Sequence, residues 1–357
     1  MKLLLDGWDL IYHPLSPSAI HTVELLTSIP NHFQIYLAIP QVAPDWLLGL
    51  NTFLPIYHEL ENNPKDRLIW QQLVLPKIIQ KTKASVLHLT HPFTPILREL
   101  PVVFSPAQYT LSPVYQRRSL FWERLLYATA AGGIDRMDRF LFPNDLLPPS
   151  DHDIPIDKIY RLPPPAIPFK LFSQPTDIPV PSQPYFLYIG NGETALLFSL
   201  LNAWNKVSAA LGDEIHLCIL PSNEKEKLLV ERFQSSTTIH PVNFHKLNPL
   251  TMDSLIAQAQ AFIQLAPEPY WGGFARRALL SGIPLIGFDS PSLAQIVGDA
   301  GYLVEGNSDR LLSAAMITMV VEEEINQALK NKAALRQTQY QNAAFSSQIE
   351  KIYQEIR

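Results

Sequence analysis

Two histidines beside a predicted strand are the side chains of the first half whose types and spacing best suit chemistry. His88 and His91 flank Thr90 in the pattern HLTHP, at the carboxyl end of the predicted strand 85–89. Ligand-binding side chains of α/β proteins collect at the carboxyl ends of parallel strands. The spacing would also suit a metal ion, but no third His or acidic ligand lies nearby in the sequence. We therefore predict that the pair lines a cleft and that the chain holds no metal.

A second set of candidates surrounds a pair of glycines in the second half. Arg276 and Arg277 begin a predicted helix just behind Gly272-Gly273. The free N–H groups of a helix start, together with a guanidinium, suit a diphosphate. The other interpretation is that both arginines form salt bridges, and the sequence leaves the two open.

Two shorter motifs are less specific. Gly190-Asn191-Gly192 is a tight turn after a predicted strand, which a phosphate site or an ordinary strand-to-helix connection could use. Tyr270-Trp271 could stack on a base or sugar, or pack as a core pair. The glutamates at 224, 226 and 231 are interpreted as one solvated helix face.

The elements that must position these residues follow from alternating short apolar runs and longer amphipathic ones, which predict parallel α/β sheets. In the first half this pattern predicts strands at 2–5, 34–39, 85–89 and 102–104, and helices at 19–28, 68–83 and 119–131. In the second half it predicts strands at 185–190, 215–220, 261–266 and 284–288, and helices at 196–211, 225–234, 254–260 and 273–281. The tail from 308 to 357 is predicted to be helical. Pro76 predicts a kink in the second helix, and Gly132-Gly133 predicts the end of the third.

Composition limits the classes of protein. The 357 residues, 47% apolar and 17% charged, suit two globular domains. A formal net charge of −5 without a dense Lys/Arg cluster argues against a nucleic-acid partner. The only cysteine, Cys218, lies in an apolar run, is predicted to be a core residue and favours a cytoplasmic location. No apolar stretch approaches the roughly 18–20 residues of a membrane span, so we predict no integral membrane segment.

Several segments, in the same order, resemble family-4 glycosyltransferases. The stretch 261–284, AFIQLAPEPYWGGFARRALLSGIP, is similar without a gap to the donor-site segment of that family. GDAGYLV at 298–304 is similar to its GDAGxLV, and YIG at 188–190 with LLNAW at 200–204 resembles the opening of its C-terminal domain. The passage 68–77 leading to His88 resembles the mannosyl- and rhamnosyltransferase-like members.

The resemblance implies the GT-B architecture, which has two facing Rossmann-like α/β domains with parallel sheets and a C-terminal helix that crosses back. We therefore expect an N-terminal acceptor-side domain at 1–168, a proline-rich linker at 169–184, a C-terminal donor-side domain at 185–340 and the returning helix at 341–357. The implied activity is transfer of a sugar from a nucleoside-diphosphate sugar to a glycan or other acceptor, with retention of configuration and without a metal or cofactor. It implies a role in polysaccharide or glycoconjugate synthesis.

The same resemblance assigns the site residues. It places the donor nucleotide-sugar against Gly190, Asn191, Gly192, Gly272, Gly273, Phe274 and Arg277. It implies that the residues at the reacting centre are His88, Gln108 and Glu268. The loop that carries His13 is expected on the acceptor side.

The sequence also departs from the family pattern at three places. Pro269 and Arg277 stand where the family has two glutamates, and neither side chain can accept a hydrogen bond. The stretch 193–196 lacks the usual Arg and Lys that neutralise the donor diphosphate, and Ala107-Gln108 replaces a His-Asp pair. The alternative is therefore a catalytically lapsed GT-B protein that binds a sugar, a nucleotide or a protein partner. A nucleotide-sugar epimerase of the same architecture is less favoured, because its paired carboxylates are not evident.

Overall fold

The computed structural model of the chain describes residues 1–108, 111, 121–149, 152–166, 181–233, 237–242, 247–340 and 342–356. The chain divides into two compact units. The first comprises Met1–Ile167, Pro269–Gly273 and Gln341–Arg357, and the second comprises Pro168–Glu268 and Phe274–Tyr340. Of the linker expected at 169–184, residues 169–180 lie outside the described residues.

The first unit contains a sheet of seven strands. They are β1 (Lys2–Asp6), β2 (Gln34–Ile39), β3 (Leu54–Tyr57), β4 (Val86–Leu89), β5 (Val102–Phe104), β6 (Arg139–Pro143) and β7 (Ile159–Leu162). All pair in parallel, in the order β3-β2-β1-β4-β5-β6-β7. The four predicted strands are confirmed. Aliphatic runs such as Leu3–Leu5 are buried because helices cover both faces of a parallel sheet.

Among the described residues, six α-helices lie between these strands. They are α1 (Trp8–Tyr12), α2 (Pro17–Ser28), α3 (Asp45–Leu48), α4 (Pro64–Ile69), α5 (Leu75–Thr82) and α6 (Phe121–Ile134). The helix predicted at 119–131 corresponds to α6, although residues 119 and 120 lie outside the described residues. Its predicted end at Gly132-Gly133 is wrong. A Cβ on Gly133 would lie 2.5 Å from Thr94 Cγ2, so close packing explains a glycine inside this helix.

The break expected at Pro76 is confirmed as a change of helix type. A π-helix, Trp70–Val74, joins α4 to α5, and the N–H of Leu75 donates to the carbonyl of Trp70, five residues back. Pro76 has no N–H to offer the carbonyl of Gln72, and its ring crowds the preceding turn. The wider π turn lets the chain continue as a helix past this point.

The second unit contains six parallel strands. They are β8 (Tyr185–Ile189), β9 (His216–Leu220), β10 (Ile239–Pro241), β11 (Ala261–Gln264), β12 (Leu285–Phe288) and β13 (Gly301–Val304). Their order is β10-β9-β8-β11-β12-β13, the doubly wound order of a Rossmann-like sheet. All four predicted strands are confirmed, and Cys218 is buried in β9, where burial raises the pKa of its thiol to about 12.

The helices of this unit are α7 (Thr194–Leu211), α8 (Glu224–Arg232), α9 (Pro249–Gln258), α10 (Phe274–Leu280), α11 (Pro291–Val297), α12 (Asp309–Val321) and α13 (Glu323–Gln339). Of the helix predicted at 225–234, residue 234 lies outside the described residues. α9 begins five residues before the predicted start at 254, because Asn248 and Thr251 form a capping box in front of Pro249.

The last helix, α14 (Asn342–Glu355), belongs to the first unit, as does the segment Pro269–Gly273. Phe345, Ile349 and Tyr353 of α14 are buried. No helix among the described residues is long and apolar enough to cross a membrane.

Two histidines stack on adjacent strands of the second sheet. The rings of His216 in β9 and His240 in β10 are 9° apart in plane and 4.7 Å apart in centroid. His240 Nε2 lies 2.7 Å from His216 Nδ1, so a proton on one nitrogen bridges the pair. Burial, and then the neighbouring His216, lower the pKa of His240.

We expect the free energy of unfolding to fall when the pH is lowered through the ordinary histidine pKa of 6.5. Because the folded-state pKa of His240 is depressed, the unfolded chain binds more protons between that value and 6.5. The stability is present above this window and is lost as the pH falls through it. Urea titrations on both sides of the window should show a weaker pH dependence for His240→Gln. The exposed His58→Gln is the control, and an unchanged pH dependence in His240→Gln would contradict the expectation.

Candidate functional site

The polar residues of the first unit collect where β1 and β4 lie side by side, the point at which the strand order reverses and α/β sheets bind ligands. Asp6 ends β1, and its Oδ1 accepts hydrogen bonds from the Trp8 N–H at 3.0 Å and the Trp70 indole N–H at 2.9 Å. The N–H of Phe93 donates to His91 Nδ1 at 3.2 Å, so the His91 proton is on Nε2. That nitrogen donates to Asp6 Oδ2 at 2.8 Å. His91 therefore serves to fix a buried carboxylate.

Arg67 supplies the positive charge opposite Asp6. Its Nη1 lies 3.4 Å from Asp6 Oδ2, and its guanidinium packs between the Trp8 ring at 4.9 Å and the Phe93 ring at 5.4 Å. Burial alone would raise the pKa of Asp6, but Arg67 and His91 outweigh it and hold that pKa below its ordinary value. Asp6 is thus a buried carboxylate that stays ionised and holds Arg67 and His91 in place.

His88, predicted at the reacting centre, lies in a second buried network. Tyr353 Oη lies 2.5 Å from His88 Nδ1, and His88 Nε2 lies 2.7 Å from Ser105 Oγ. His21 Nε2 lies 2.9 Å from the same hydroxyl, and His21 Nδ1 lies 2.8 Å from Glu24 Oε2. Because a carboxylate only accepts, each group donates to the next in the direction from Tyr353 to Glu24.

The order Glu24, His21, Ser105 is that of an acid–base–hydroxyl triad. Ser105 is fully buried, however, and its hydroxyl is shared with His88, whose pKa burial lowers well below the ordinary value. The Ser105 N–H donates to the Leu89 carbonyl at 3.0 Å. These contacts describe a buried hydrogen-bond network, and the role of His88 in transfer stays a prediction.

Trp271 packs against this network within the first unit. Its ring stacks on His21 at 4.8 Å with planes 15° apart, and its indole N–H donates to the Leu141 carbonyl at 2.7 Å. The N–H of Tyr270 donates to the carbonyl of the exposed Gln108 at 3.4 Å. Of the two interpretations of Tyr270-Trp271, the structure shows the packed one.

Gly272 explains why the segment approaches so closely. Its φ is +68°, and a Cβ there would lie 1.9 Å from the Pro17 carbonyl oxygen. Gly273, beside it, is also buried. A residue with a side chain would be strained in conformation and would clash with α2.

In the second unit, the turn Gly190–Gly192 follows β8 and is bonded by a carboxylate. Glu226 Oε1 accepts from the Gly192 N–H at 2.9 Å. Glu226 Oε2 accepts from the N–H and the hydroxyl of Ser222 at 2.7 and 2.9 Å. A Cβ on Gly190 would lie 1.9 Å from that oxygen, which explains the glycine. Asn191 Oδ1 accepts only a local bond, from the Glu193 N–H at 3.1 Å.

Glu226 is therefore a residue that sequence reasoning misjudged. Its helix was interpreted as a solvated face, yet Glu226 is fully buried while Glu224 and Glu231 are exposed. Its position three residues after Asn223, whose side chain caps α8, was the available signal that the residue lies at the buried start of a helix.

Glu268 follows β11 and makes comparable contacts at the start of α10. Its Oε1 accepts from the N–H groups of Ala275 at 3.0 Å and Arg276 at 3.3 Å, and its side chain is buried. Phe274, the first residue of α10, is half-buried with its ring 6.4 Å from that of Phe262. In the predicted donor loop, the carboxylate of Glu268 therefore accepts hydrogen bonds from the backbone N–H groups at the start of α10.

Arg277 faces Asp253 of α9. Its Nε donates to Asp253 Oδ1 at 2.7 Å, its Nη2 bonds to the other carboxylate oxygen, and both side chains are buried. The salt-bridge interpretation therefore describes this arginine. Whether any predicted donor residue contacts a nucleotide stays a prediction.

Three parts of the predicted donor region in the second unit each meet a carboxylate of the chain itself. The carboxylates of Glu226, Glu268 and Asp253 face Gly192, the start of α10 and Arg277 respectively. Convergent N–H groups of this kind are the usual means of binding phosphate oxygens. Within the described residues, no group of three His, Cys, Asp or Glu side chains is placed to hold a metal ion.

Comparisons with known proteins identify the fold. No family model matches the sequence, and no curated protein is similar to it in sequence. The structure is similar to WaaG, a glycosyltransferase involved in lipopolysaccharide biosynthesis, with a TM-score of 0.68, 13% identity and coverage of 100% of this chain and 99% of that one. It is similar to the sucrose-phosphate synthase of Thermosynechococcus elongatus, with a TM-score of 0.67, 13% identity and 99% and 98% coverage. It is also similar to Anabaena HepE in complex with UDP-glucose, with a TM-score of 0.66, 11% identity and 99% and 100% coverage. The chain has the GT-B fold of glycosyltransferases, with two Rossmann-like parallel-sheet domains.

The close approach at Gly272 yields a prediction about stability. Gly272→Ala should lower the free energy of unfolding by about 2 kcal/mol more than Gly306→Ala, because only the first methyl group meets backbone atoms. Gly306 has a φ of +62° against +68° for Gly272, and nothing lies within 4 Å of its Cβ position. The control therefore carries the same conformational strain without the clash. Chemical denaturation measures both, and equal losses would show that the segment is not held as described.

Proposed function

We propose that this chain is a GT-B glycosyltransferase, divergent from family 4, that transfers a sugar from a nucleoside-diphosphate sugar to a glycan or other acceptor. The supporting observation is the Gly190–Gly192 turn at the carboxyl end of β8, where the N–H of Gly192 and the N–H and hydroxyl of Ser222 converge on the carboxylate of Glu226. The Glu226 carboxylate shows that the geometry of this turn is suited to an oxyanion. Similar structures include complexes with UDP and UDP-glucose, which supports the same class of donor.

In this proposal the second unit holds the donor and the first unit holds the acceptor. The diphosphate would lie against the Gly190–Gly192 turn and the start of α10, where N–H groups stabilise the negative charge of the leaving group without a metal. Glu268, at the end of β11, is the carboxylate nearest the donor loop in sequence and is proposed at the reacting centre with His88 and Gln108. Transfer would proceed with retention of configuration. A cytoplasmic role in polysaccharide or glycoconjugate synthesis completes the proposal.

A second candidate function is favoured by the internal carboxylates. If Glu226, Glu268 and Asp253 keep their present contacts, a diphosphate meets negative charge at three places and is repelled. The chain would then be a GT-B protein that has lost transfer activity and binds a sugar or a protein partner. The two candidates differ in one measurable property, which is affinity for a nucleotide-sugar.

Calorimetric titration with UDP-glucose and GDP-mannose tests the proposal. We expect Glu226→Gln to bind its donor roughly five- to tenfold more tightly than the unmodified chain, because a negative charge is removed beside the diphosphate. Glu231→Gln makes the same change of charge at an exposed position of the same helix and should leave the affinity unaltered. Release of the free nucleotide from the bound donor, measured by chromatography, then tests for chemistry.

Two results would contradict the transferase proposal or its placement of the donor. If neither the unmodified chain nor Glu226→Gln binds a nucleotide-sugar at millimolar concentration, the transferase proposal fails and the second candidate stands. If binding occurs but Glu226→Gln and Glu231→Gln have the same affinity, the donor does not lie at the Gly190–Gly192 turn.

A further inference from the structure

Three buried side chains of the first unit have polar atoms without a hydrogen-bond partner in the described part of the chain. Arg67 Nη1 and Nη2, Gln71 Nε2 and Oε1, and Thr94 Oγ1 have no hydrogen-bond partner. The exposed fractions of these residues are 5%, 0% and 1%. Folded proteins seldom leave such atoms unmet, because each was hydrogen-bonded to water in the unfolded chain. Five such atoms, on two residues of one helix and one residue of the loop fastened to that helix, indicate that something is bound there.

These residues lie on one helix and on a loop that is hydrogen-bonded to it. Arg67 and Gln71 are four residues apart, on one face of the helix that runs from α4 into the π-helix. Gln72 fastens the loop of Thr94 to the same helix, since its Nε2 donates to the Thr94 carbonyl at 3.1 Å and its Oε1 accepts from the Ile96 N–H at 3.0 Å. π-helical turns are frequent at functional sites, because they displace side chains from the regular helical register.

The position in the fold points to ligand binding. Arg67 contacts Asp6 at the end of β1 and packs on Phe93, in the loop after β4. These two strands lie side by side where the strand order reverses, and the crevice outside their carboxyl ends is where open α/β sheets bind ligands. The unsatisfied atoms and the ligand-binding end of the sheet therefore coincide.

Charge and hydrogen bonding at the site restrict the chemistry of the ligand. Asp6 already balances the charge of Arg67, so the site does not require an anion. Arg67 can only donate, whereas the Gln71 amide and the Thr94 hydroxyl can donate and accept. A ligand that satisfies all three must offer oxygen atoms that accept several hydrogen bonds, and at least one O–H that donates to Gln71 Oε1. Hydroxyl groups meet both requirements without adding charge, whereas a carboxylate lacks the O–H and a phosphate ion brings negative charge close to Asp6.

We infer that Arg67, Gln71 and Thr94 form a binding site for a neutral, hydroxyl-bearing molecule such as a glycoside or polyol. Its hydroxyl groups replace water at the carboxyl ends of β1 and β4. The site deepens the proposed function, on which it rests only for the statement that this ligand is the acceptor. Binding itself is independent of the donor.

Titration with methyl α-glucoside, glycerol and inorganic phosphate, followed by thermal unfolding and calorimetry, tests the inference. The unmodified chain should give a saturable rise in melting temperature with the glycoside or glycerol and none with phosphate. Thr94→Val, which replaces one hydroxyl by a methyl group of similar size, and Gln71→Leu should weaken binding at least tenfold. Thr82→Val is the matched control, because Thr82 is a buried threonine of the same unit whose hydroxyl is satisfied by the Ile78 carbonyl at 2.8 Å.

Three results would overturn the inference. They are the absence of a saturable response in the unmodified chain, a response that survives in Thr94→Val, and a stronger response to phosphate than to the glycoside. Should Gln71→Leu fail to fold, Thr94→Val decides the matter alone. UDP-glucose binding is measured on the same samples, so a chain that binds donor without glycoside, or glycoside without donor, separates this inference from the proposed function.

Discussion

A polar group buried at the carboxyl end of a parallel strand must meet a partner, and this constraint accounts for the polar architecture of both units. In the second unit the donors are backbone N–H groups, and the chain supplies their oxygen atoms from Glu226 and Glu268. In the first unit the buried anion is Asp6, which accepts hydrogen bonds from three neutral N–H groups and whose charge the guanidinium of Arg67 balances. The same requirement makes Gly190 necessary, because any side chain there would displace the carboxylate.

The two units meet the constraint to different degrees. In the second unit, carboxylates of the chain itself already face Gly192, the start of α10 and Arg277, which raises the free-energy cost of admitting a diphosphate there. In the first unit every member of the buried network from Tyr353 to Glu24 has a hydrogen-bond partner. Two nitrogen atoms of Arg67 have none within the described residues. A fold with transferase architecture thus combines filled anion positions with a polar site that still lacks partners. The chemistry left open is recognition of hydroxyl groups, whichever of the two candidate functions is correct.

Much of the fold could be predicted from the sequence, because central parallel strands are continuous aliphatic runs between turns. The strands β3 and β10 were missed because they are short and contain Pro55 and Pro241. Proline is seldom found inside a strand, so its presence argues against predicting one. The site was less predictable, because its decisive contacts join residues far apart in sequence. Glu226 lies 34 residues from Gly192, and Asp253 lies 24 residues from Arg277, so no local pattern reveals either partnership. The sequence placed His88 and His91 at the carboxyl end of a strand, where β4 ends, but their hydrogen-bond partners come from other elements.

The central claim is that the carboxylate of Glu226 accepts hydrogen bonds from the N–H groups of Gly192, after β8, and Ser222, after β9. Amide hydrogen exchange measures this directly. In the unmodified chain the amides of Gly192 and Ser222 should be protected, and Glu226→Ala should increase their exchange rates by at least tenfold. The amide of Lys227, which donates to the Asn223 carbonyl at 3.0 Å, should exchange at the same rate in both proteins. Equal protection of Gly192 and Ser222 with and without Glu226 would contradict the account.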